Sequence, residues 1–194
     1  MSIASIIINA AIFLLTALLL IPCFYKDGRW DFKRGLQVFR YFTVLSNALC
    51  ACSALAMAAA QIGGRVSPGA LLFKYLGTVS VTVTLLTVLF FLGPTQGYKN
   101  LLSGRDFYMH LVGPIMAIGS FCLLEKRGMS LPEALLGLAP VVLYGIVYLY
   151  KVICAPEGKR WEDFYGFNRG GRWPVAFAGM LAGTLAVCLI YWRI

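Results

Sequence analysis

The sequence has little charge and a single histidine. Only 13% of its 194 residues are charged, and eight are acidic. One histidine cannot form the paired motifs, such as HExxH, that bind zinc, so the sequence predicts no metal centre and no cofactor. The six cysteines also lack zinc-type spacing, and we interpret them as packing residues. The first apolar run lacks the basic start and small-residue cleavage motif of a signal peptide, so we interpret it as a membrane span.

What the sequence has instead is hydrophobic length. Hydrophobic residues make up 60% of the chain and the mean hydropathy is +0.78. Six apolar segments approach or exceed the roughly 18 to 20 residues that cross a bilayer. The sequence therefore predicts an all-α integral membrane bundle of six transmembrane helices, forming one domain over residues 1–194. The predicted spans cover approximately residues 3–25, 36–62, 71–93, 107–124, 132–154 and 173–193.

The net charge of +9 has two interpretations, nucleic-acid binding and membrane topology. Twelve of the 17 basic residues fall in or beside the loops between spans 1 and 2, 3 and 4, and 5 and 6. Basic residues in short loops set membrane orientation. We therefore expect no nucleic-acid partner, and we expect these three loops in the cytoplasm, with a bacterial protein lying in the inner membrane.

A stripe of polar side chains opens the second predicted span. On an α-helix, Arg40, Thr43, Asn47 and Cys50 share one face, and Ser46 lies at its edge. Polar groups inside a membrane usually face the bundle interior or a wet cavity and often mark a functional site. The alternative is that these side chains only bond neighbouring helices.

The only histidine opens the fourth predicted span. Pro114 follows His110 by four residues and has no amide to bond the His110 carbonyl, so a kink is predicted there. The alternative to a functional role is a hydrogen-bonded histidine at a helix end, beside an ordinary proline kink.

Two even-numbered spans begin on the same side of the membrane, so Thr43 and His110 are predicted to lie at similar shallow depths. A threonine hydroxyl needs a base to become a nucleophile, and histidine is the usual base near neutral pH. Asp106, one turn earlier, could orient the imidazole. Arg40 and Asn47 could donate hydrogen bonds to a developing oxyanion and line the polar end of an amphipathic pocket, and Ser46 is a further supporting candidate.

The segment 39–47 (FRYFTVLSN), together with His110 ahead of Pro114, resembles the androgen-induced and androgen-dependent family of integral membrane hydrolases and its bacterial six-span relatives. The resemblance implies a six-helix membrane fold that hydrolyses fatty acid esters of hydroxy fatty acids, with a threonine nucleophile and a histidine. In this sequence those roles fall on Thr43 and His110, and the implied partner is a lipid substrate within the bilayer.

Three functions remain open at this point: a carboxylic ester hydrolase of lipid metabolism, a membrane acyltransferase, and a non-catalytic lipid-binding or transport protein. The loop over residues 155–172 interleaves aromatic and charged residues, a composition typical of segments on the headgroup plane. Such a loop could also fold over a site.

Overall fold

The computed structural model describes residues 2–125 and 128–194. Six of its helices are long and apolar enough to cross a membrane, which confirms the predicted all-α, multi-pass bundle. We number these helices as spans 1 to 6 in chain order. Their bounds are Ile3–Phe24, Phe42–Ile62, Pro68–Gln96, Gly104–Glu125, Leu131–Cys154 and Trp173–Arg193.

A small hairpin follows span 1. The two-residue strands Tyr25–Lys26 and Arg29–Trp30 pair antiparallel, with Tyr25 opposite Trp30. Asp27 and Gly28 form the turn, and both have positive φ angles, 49° and 78°. An Asp-Gly pair is favoured in such turns because both central residues must adopt the left-handed region.

Span 2 begins later than the sequence predicted. The segment before it forms a short α-helix, Phe32–Gln37, and a 3₁₀ turn, Val38–Arg40. Tyr41 then has an extended backbone, φ −92° and ψ 132°, and the spanning helix starts at the next residue. The hydroxyl of Tyr144 in span 5 donates to the Arg40 carbonyl at 2.8 Å, which satisfies a main-chain acceptor at the break. Thr43 therefore lies in the first turn of span 2, whereas a span beginning at residue 36 would place it about two turns inside.

Span 3 is the central helix of the bundle. Within its apolar window 67% of residues are buried, against 22% in spans 1, 5 and 6. Span 2 packs closely on it at Gly77, where an added Cβ would lie 2.8 Å from the Cα of Cys50. The Thr82 hydroxyl of span 3 contacts that of Tyr191 in span 6, and the Thr84 hydroxyl contacts that of Ser46 in span 2, at 2.8 Å each. These side chains therefore join span 3 to its neighbours.

Span 4 is not a uniform α-helix. Residues Tyr108–Val112 form a π turn, in which the Gly113 amide donates to the Tyr108 carbonyl. Pro114 cannot bond the His110 carbonyl, so the backbone register changes where the sequence predicted a kink. The single histidine therefore lies within a widened turn at the start of span 4.

Candidate functional site

The structure brings Thr43 and His110 into contact. The Thr43 Oγ1 lies 3.3 Å from the His110 Nε2. Thr43 is half-buried in the first turn of span 2, and His110 is 7% exposed in the π turn of span 4. The two even-numbered spans thus meet where they start, as their shared membrane side led us to expect.

The hydrogen bond at the His110 Nδ1 sets the tautomer of the imidazole ring. The His110 Nδ1 lies 2.6 Å from the main-chain carbonyl of Leu101, at the end of the short helix Tyr98–Leu101 in the loop between spans 3 and 4. A carbonyl oxygen can only accept, so the Nδ1 carries the proton. In a neutral ring the Nε2 is then an acceptor, and it faces the Thr43 hydroxyl. This arrangement suits a general base.

Asp106 does not take the orienting role that the sequence suggested. The Leu101 carbonyl occupies the His110 Nδ1, whereas Asp106 lines the cavity beside the imidazole. Asp106 lies in a short α-helical turn and His110 in the π turn that follows. The π turn changes the usual alignment of side chains four residues apart on one helix face. The main-chain acceptor is a group that side-chain patterns cannot reveal.

Asn47 joins the two halves of the site. Its Nδ2 donates to the carbonyls of Thr43 at 2.8 Å and Met109 at 3.0 Å. These bonds use both amide protons, so Asn47 holds spans 2 and 4 together and has no proton left for an oxyanion. Ser46 contacts the Thr84 hydroxyl and donates to the Thr43 carbonyl at 3.0 Å, and is also a supporting residue.

Arg40 lies outside the contact between Thr43 and His110. It precedes the spanning helix, is exposed, and places its guanidinium carbon 4.8 Å from the centre of the Tyr41 ring. Its Nη2 also donates to the Tyr41 hydroxyl at 2.6 Å. The predicted face shared by Arg40 and Thr43 is lost because the extended Tyr41 separates them, and Arg40 does not line the cavity beside Thr43 and His110.

A cavity of about 270 Å³ opens beside the Thr43 hydroxyl and the His110 ring. Its wall combines apolar side chains with polar side chains from the loops at this membrane face. The polar members are Tyr41, Thr43, Gln96, Arg105, Asp106, His110 and Tyr165. The cavity therefore has the mixed lining expected of a pocket near the headgroups, although its polar residues differ from the pair predicted, Arg40 and Asn47.

A second, mostly apolar cavity of about 400 Å³ lies between spans 2, 3 and 5. Phe42 and Ser46, which flank Thr43 on span 2, belong to its wall. Leu143 and Val147 of span 5 are exposed along it, as expected for side chains that face lipid. This apolar groove therefore lies within one helical turn of Thr43.

Tyr165 is a site residue that the sequence did not single out. It belongs to the loop between spans 5 and 6, and its hydroxyl accepts the Phe42 amide at 2.9 Å. It lines both the cavity beside His110 and a smaller one that also contains Thr43. Burial raises the pKa of Tyr165, and the hydrogen bond from the Phe42 amide opposes that shift.

The loop that carries Tyr165 is fastened by one carboxylate. Asp163 accepts hydrogen bonds from the Tyr148 hydroxyl at 2.7 Å and from the amides of Phe167 and Asn168 at 2.9 and 2.8 Å. Tyr148 in turn accepts the Tyr165 amide at 3.1 Å. The aromatic and charged composition of this loop signalled a surface segment, but only the fold shows that it covers the site.

A second polar cluster lies at the opposite end of the bundle. Lys74 and Glu125 have fully buried side chains, with the Lys74 Nζ 3.8 Å from the Glu125 Oε2. Lys74 donates to the Asn9 Oδ1 at 2.6 Å, while Ser5 and Ser120 donate to the Glu125 Oε1 at 2.7 and 2.5 Å. The predicted spans, 71–93 and 107–124, left Lys74 near the start of span 3 and Glu125 just beyond the end of span 4. Glu125 is instead the buried end of span 4, roughly 20 Å along that helix from the histidine.

Comparisons with known proteins assign no function to the site at Thr43 and His110 or to the cluster around Lys74 and Glu125. The chain matches no protein-family model, no curated protein and no solved structure. Among residues 2–125 and 128–194, no group of three or more histidine, cysteine or acidic side chains is placed to hold a metal. The function is therefore inferred from the contact between Thr43 and His110, together with the sequence resemblance at those two positions.

Proposed function

We propose that this protein is a membrane-embedded lipid-ester hydrolase with Thr43 as nucleophile and His110 as general base. The observation that carries the proposal is the 3.3 Å contact between the Thr43 Oγ1 and the His110 Nε2, with the Nδ1 held by the Leu101 carbonyl. A hydroxyl paired with an oriented imidazole is the common arrangement of an activated nucleophile. The resemblance of segment 39–47 and His110 suggests fatty acid esters of hydroxy fatty acids, or similar acyl lipids, as substrates.

The reaction proceeds in two halves. The Thr43 Oγ1 attacks the ester carbonyl carbon as its proton passes to the His110 Nε2. The tetrahedral intermediate collapses, the bond to the leaving alcohol breaks, and His110 returns the proton to that oxygen. Water then attacks the acyl-threonine, again losing its proton to the Nε2, and the carboxylic acid leaves as the Thr43 oxygen takes the proton back.

The two cavities fit the two parts of such a substrate. The ester would lie in the mixed cavity at Thr43 and one acyl chain in the apolar groove beyond Phe42. A chain that moves from lipid into this groove exchanges one apolar environment for another, so little hydrophobic free energy is gained. The groove would instead orient the chain and hold the carbonyl against Thr43, which lowers the entropy cost of the reaction.

Hydrolysis by purified protein in nanodiscs tests the proposal. Thr43→Ala and His110→Ala should each abolish turnover of a fatty acid ester of a hydroxy fatty acid, and the double variant should lose little more, because the two residues act as a unit. Thr95→Ala is a matched control, since the Thr95 hydroxyl donates to carbonyls of its own helix, those of Phe91 and Leu92.

The products separate the three candidate functions. Ester turnover that appears only when an acceptor alcohol is added would identify an acyltransferase. Wild-type protein that binds the lipid without turnover, with or without an acceptor, would identify a binding or transport protein. Folded Thr43→Ala protein with wild-type turnover would contradict the assignment of the nucleophile.

For orientation, we propose that the loops between spans 1 and 2, 3 and 4, and 5 and 6 lie in the cytoplasm, which in a bacterium is the inner face of the inner membrane. Twelve of the 17 basic residues support this arrangement. Thr43, His110 and Tyr165 all lie at that end of the bundle, so the site would draw its water and its substrate from the cytoplasmic leaflet.

A further inference from the structure

We propose that Tyr165 is a third catalytic residue, whose hydroxyl donates a hydrogen bond to the oxyanion of the tetrahedral intermediate formed at Thr43. This role rests on the proposed hydrolase function. An oxyanion needs a donor that is already in place when negative charge develops on the former carbonyl oxygen. The sequence suggested Arg40 and Asn47, and the hydrogen bonds of both side chains are directed elsewhere.

The position of the Tyr165 oxygen suits this role. It lies at the first turn of span 2, where it accepts the Phe42 amide at 2.9 Å, and its side chain lines two cavities that contain Thr43. The start of a 21-residue helix also carries partial positive charge, which favours an anion there. A carbonyl attacked by the Thr43 Oγ1 would thus place its oxygen close to the phenol and to the start of the helix.

The Tyr165 hydroxyl has a proton that it can donate within the site. Because the phenol oxygen accepts from Phe42, its own O–H is directed away from that amide. The neighbouring Tyr144 is not available as the donor, because its hydroxyl already donates to the Arg40 carbonyl at 2.8 Å. Burial raises the pKa of Tyr165, so the phenol keeps its proton near neutral pH and can act as a donor.

The proton balance assigns Tyr165 a hydrogen bond and no proton transfer. As the bond between the Thr43 Oγ1 and the carbonyl carbon forms, the carbonyl π electrons move to its oxygen, and His110 receives the threonine proton. Tyr165 keeps its own proton and donates a hydrogen bond to the resulting oxyanion. The electron pair returns to the carbonyl as the alcohol leaves, and the same donor serves the hydrolysis of the acyl-threonine.

Tyr165 also caps span 2 through Phe42, so the test must separate catalysis from structure. Tyr165→Phe should lower kcat by about 10²- to 10³-fold with little change in KM, the usual effect of losing one oxyanion donor. Its affinity for a trifluoromethyl ketone analogue, which forms a tetrahedral adduct, should fall in proportion to kcat/KM. Its affinity for the ether analogue, which has no carbonyl, should stay unchanged.

Tyr98→Phe is the matched control. Tyr98 lies in the loop between spans 3 and 4 at the same membrane face, and its hydroxyl donates to the Leu89 carbonyl of span 3 at 2.7 Å. Its side chain lines neither of the two cavities described above that contain Thr43. Both variants lose one hydrogen bond between a tyrosine hydroxyl and the main chain, which Tyr98 donates and Tyr165 accepts. We expect wild-type kcat and wild-type affinity for both analogues.

The outcomes distinguish this proposal from the one on which it rests. Equal losses of affinity for the ketone and the ether in Tyr165→Phe would mean that the hydroxyl only supports the fold, and would overturn the oxyanion role. Wild-type turnover by Tyr165→Phe, with Thr43→Ala inactive, would refute the role of Tyr165 and leave the hydrolase standing. Turnover that survives in Thr43→Ala would refute the hydrolase mechanism itself.

Discussion

Replacing Lys74 with methionine should destabilise the protein strongly without touching the proposed site. The ammonium group lies 3.8 Å from the Glu125 carboxylate, and both side chains are fully buried. Methionine fills similar volume but leaves the carboxylate without a countercharge in the bundle. Removing one partner of a buried ion pair typically costs about 3–5 kcal/mol. That loss is a large part of the roughly 5–15 kcal/mol by which proteins are stable.

The double variant Lys74→Met with Glu125→Gln makes the prediction sharper. Glutamine keeps a side-chain oxygen that can accept from Ser5 and Ser120, and the uncompensated charge is gone. The free energy of unfolding should therefore recover, and a double-mutant cycle should give a coupling of about 2 kcal/mol.

Reversible unfolding in mixed micelles, followed by circular dichroism, measures these values. Lys26→Met is the matched control, because Lys26 forms an exposed ion pair with Asp27 at 4.0 Å. Exposed pairs of this kind contribute little, so the control should unfold like the wild type. Losses that add in the double variant, or a Lys74→Met protein as stable as the control, would refute the view that the buried charges compensate each other.

Three further predictions follow from the packing, the loop and the charge distribution. Gly77→Ala should lower the free energy of unfolding by about 1–3 kcal/mol, because its Cβ would lie 2.8 Å from the backbone of span 2. Gly179→Ala should not, because an added Cβ there meets no described atom within 4 Å outside its own stretch of helix. Equal stabilities would contradict the close approach. Asp163→Asn should release the loop between spans 5 and 6 and reduce turnover while the spans unfold at the same temperature, and an unchanged rate would show that the loop does not depend on this carboxylate. In a cysteine-free background, a cysteine that replaces Lys33 should resist an impermeant thiol reagent in intact cells, whereas one that replaces Arg65 should react. The opposite pattern would mean that the orientation is reversed.

The sequence predicted the membrane fold because hydrophobic length is a local property. Each span needs about 20 apolar residues wherever it lies in the bundle, so six spans could be counted without any tertiary information. The relation between Thr43 and His110 needed only the added fact that even-numbered spans start on the same side. Their contact at 3.3 Å agrees with that inference, while their chemical roles stay predictions.

Features that depend on tertiary contacts were missed or misplaced. The break at Tyr41 involves a hydrogen bond between span 5 and the Arg40 carbonyl, and no residue in segment 36–42 is a strong helix breaker. The acceptor for the His110 Nδ1 is the main-chain carbonyl of Leu101. Because every residue has a main-chain carbonyl, the sequence does not indicate which one accepts this bond. The position of Tyr165 depends on a loop folded around Asp163, which composition alone cannot place.

The buried ion pair of Lys74 and Glu125 was also missed, although the sequence contained a signal for it. Lys74 lies only six residues inside span 3, and Glu125 ends an apolar run, so both resembled ordinary residues of a helix end. An ionisable residue within or at the edge of a membrane span is a reason to look for a partner of opposite charge. With Glu125 as one of only eight acidic residues, Lys74 and Glu125 could have been considered together.

The central claim is that Thr43 carries the acyl group during turnover, and mass spectrometry of the labelled protein tests it most directly. Purified protein in nanodiscs, treated with a lipid-like fluorophosphonate and then digested, should give a phosphonate adduct on the peptide that contains Thr43. The adduct should be absent from Thr43→Ala and strongly reduced in His110→Ala. An adduct on another residue, or equal labelling of Thr43→Ala and the wild type, would contradict the account.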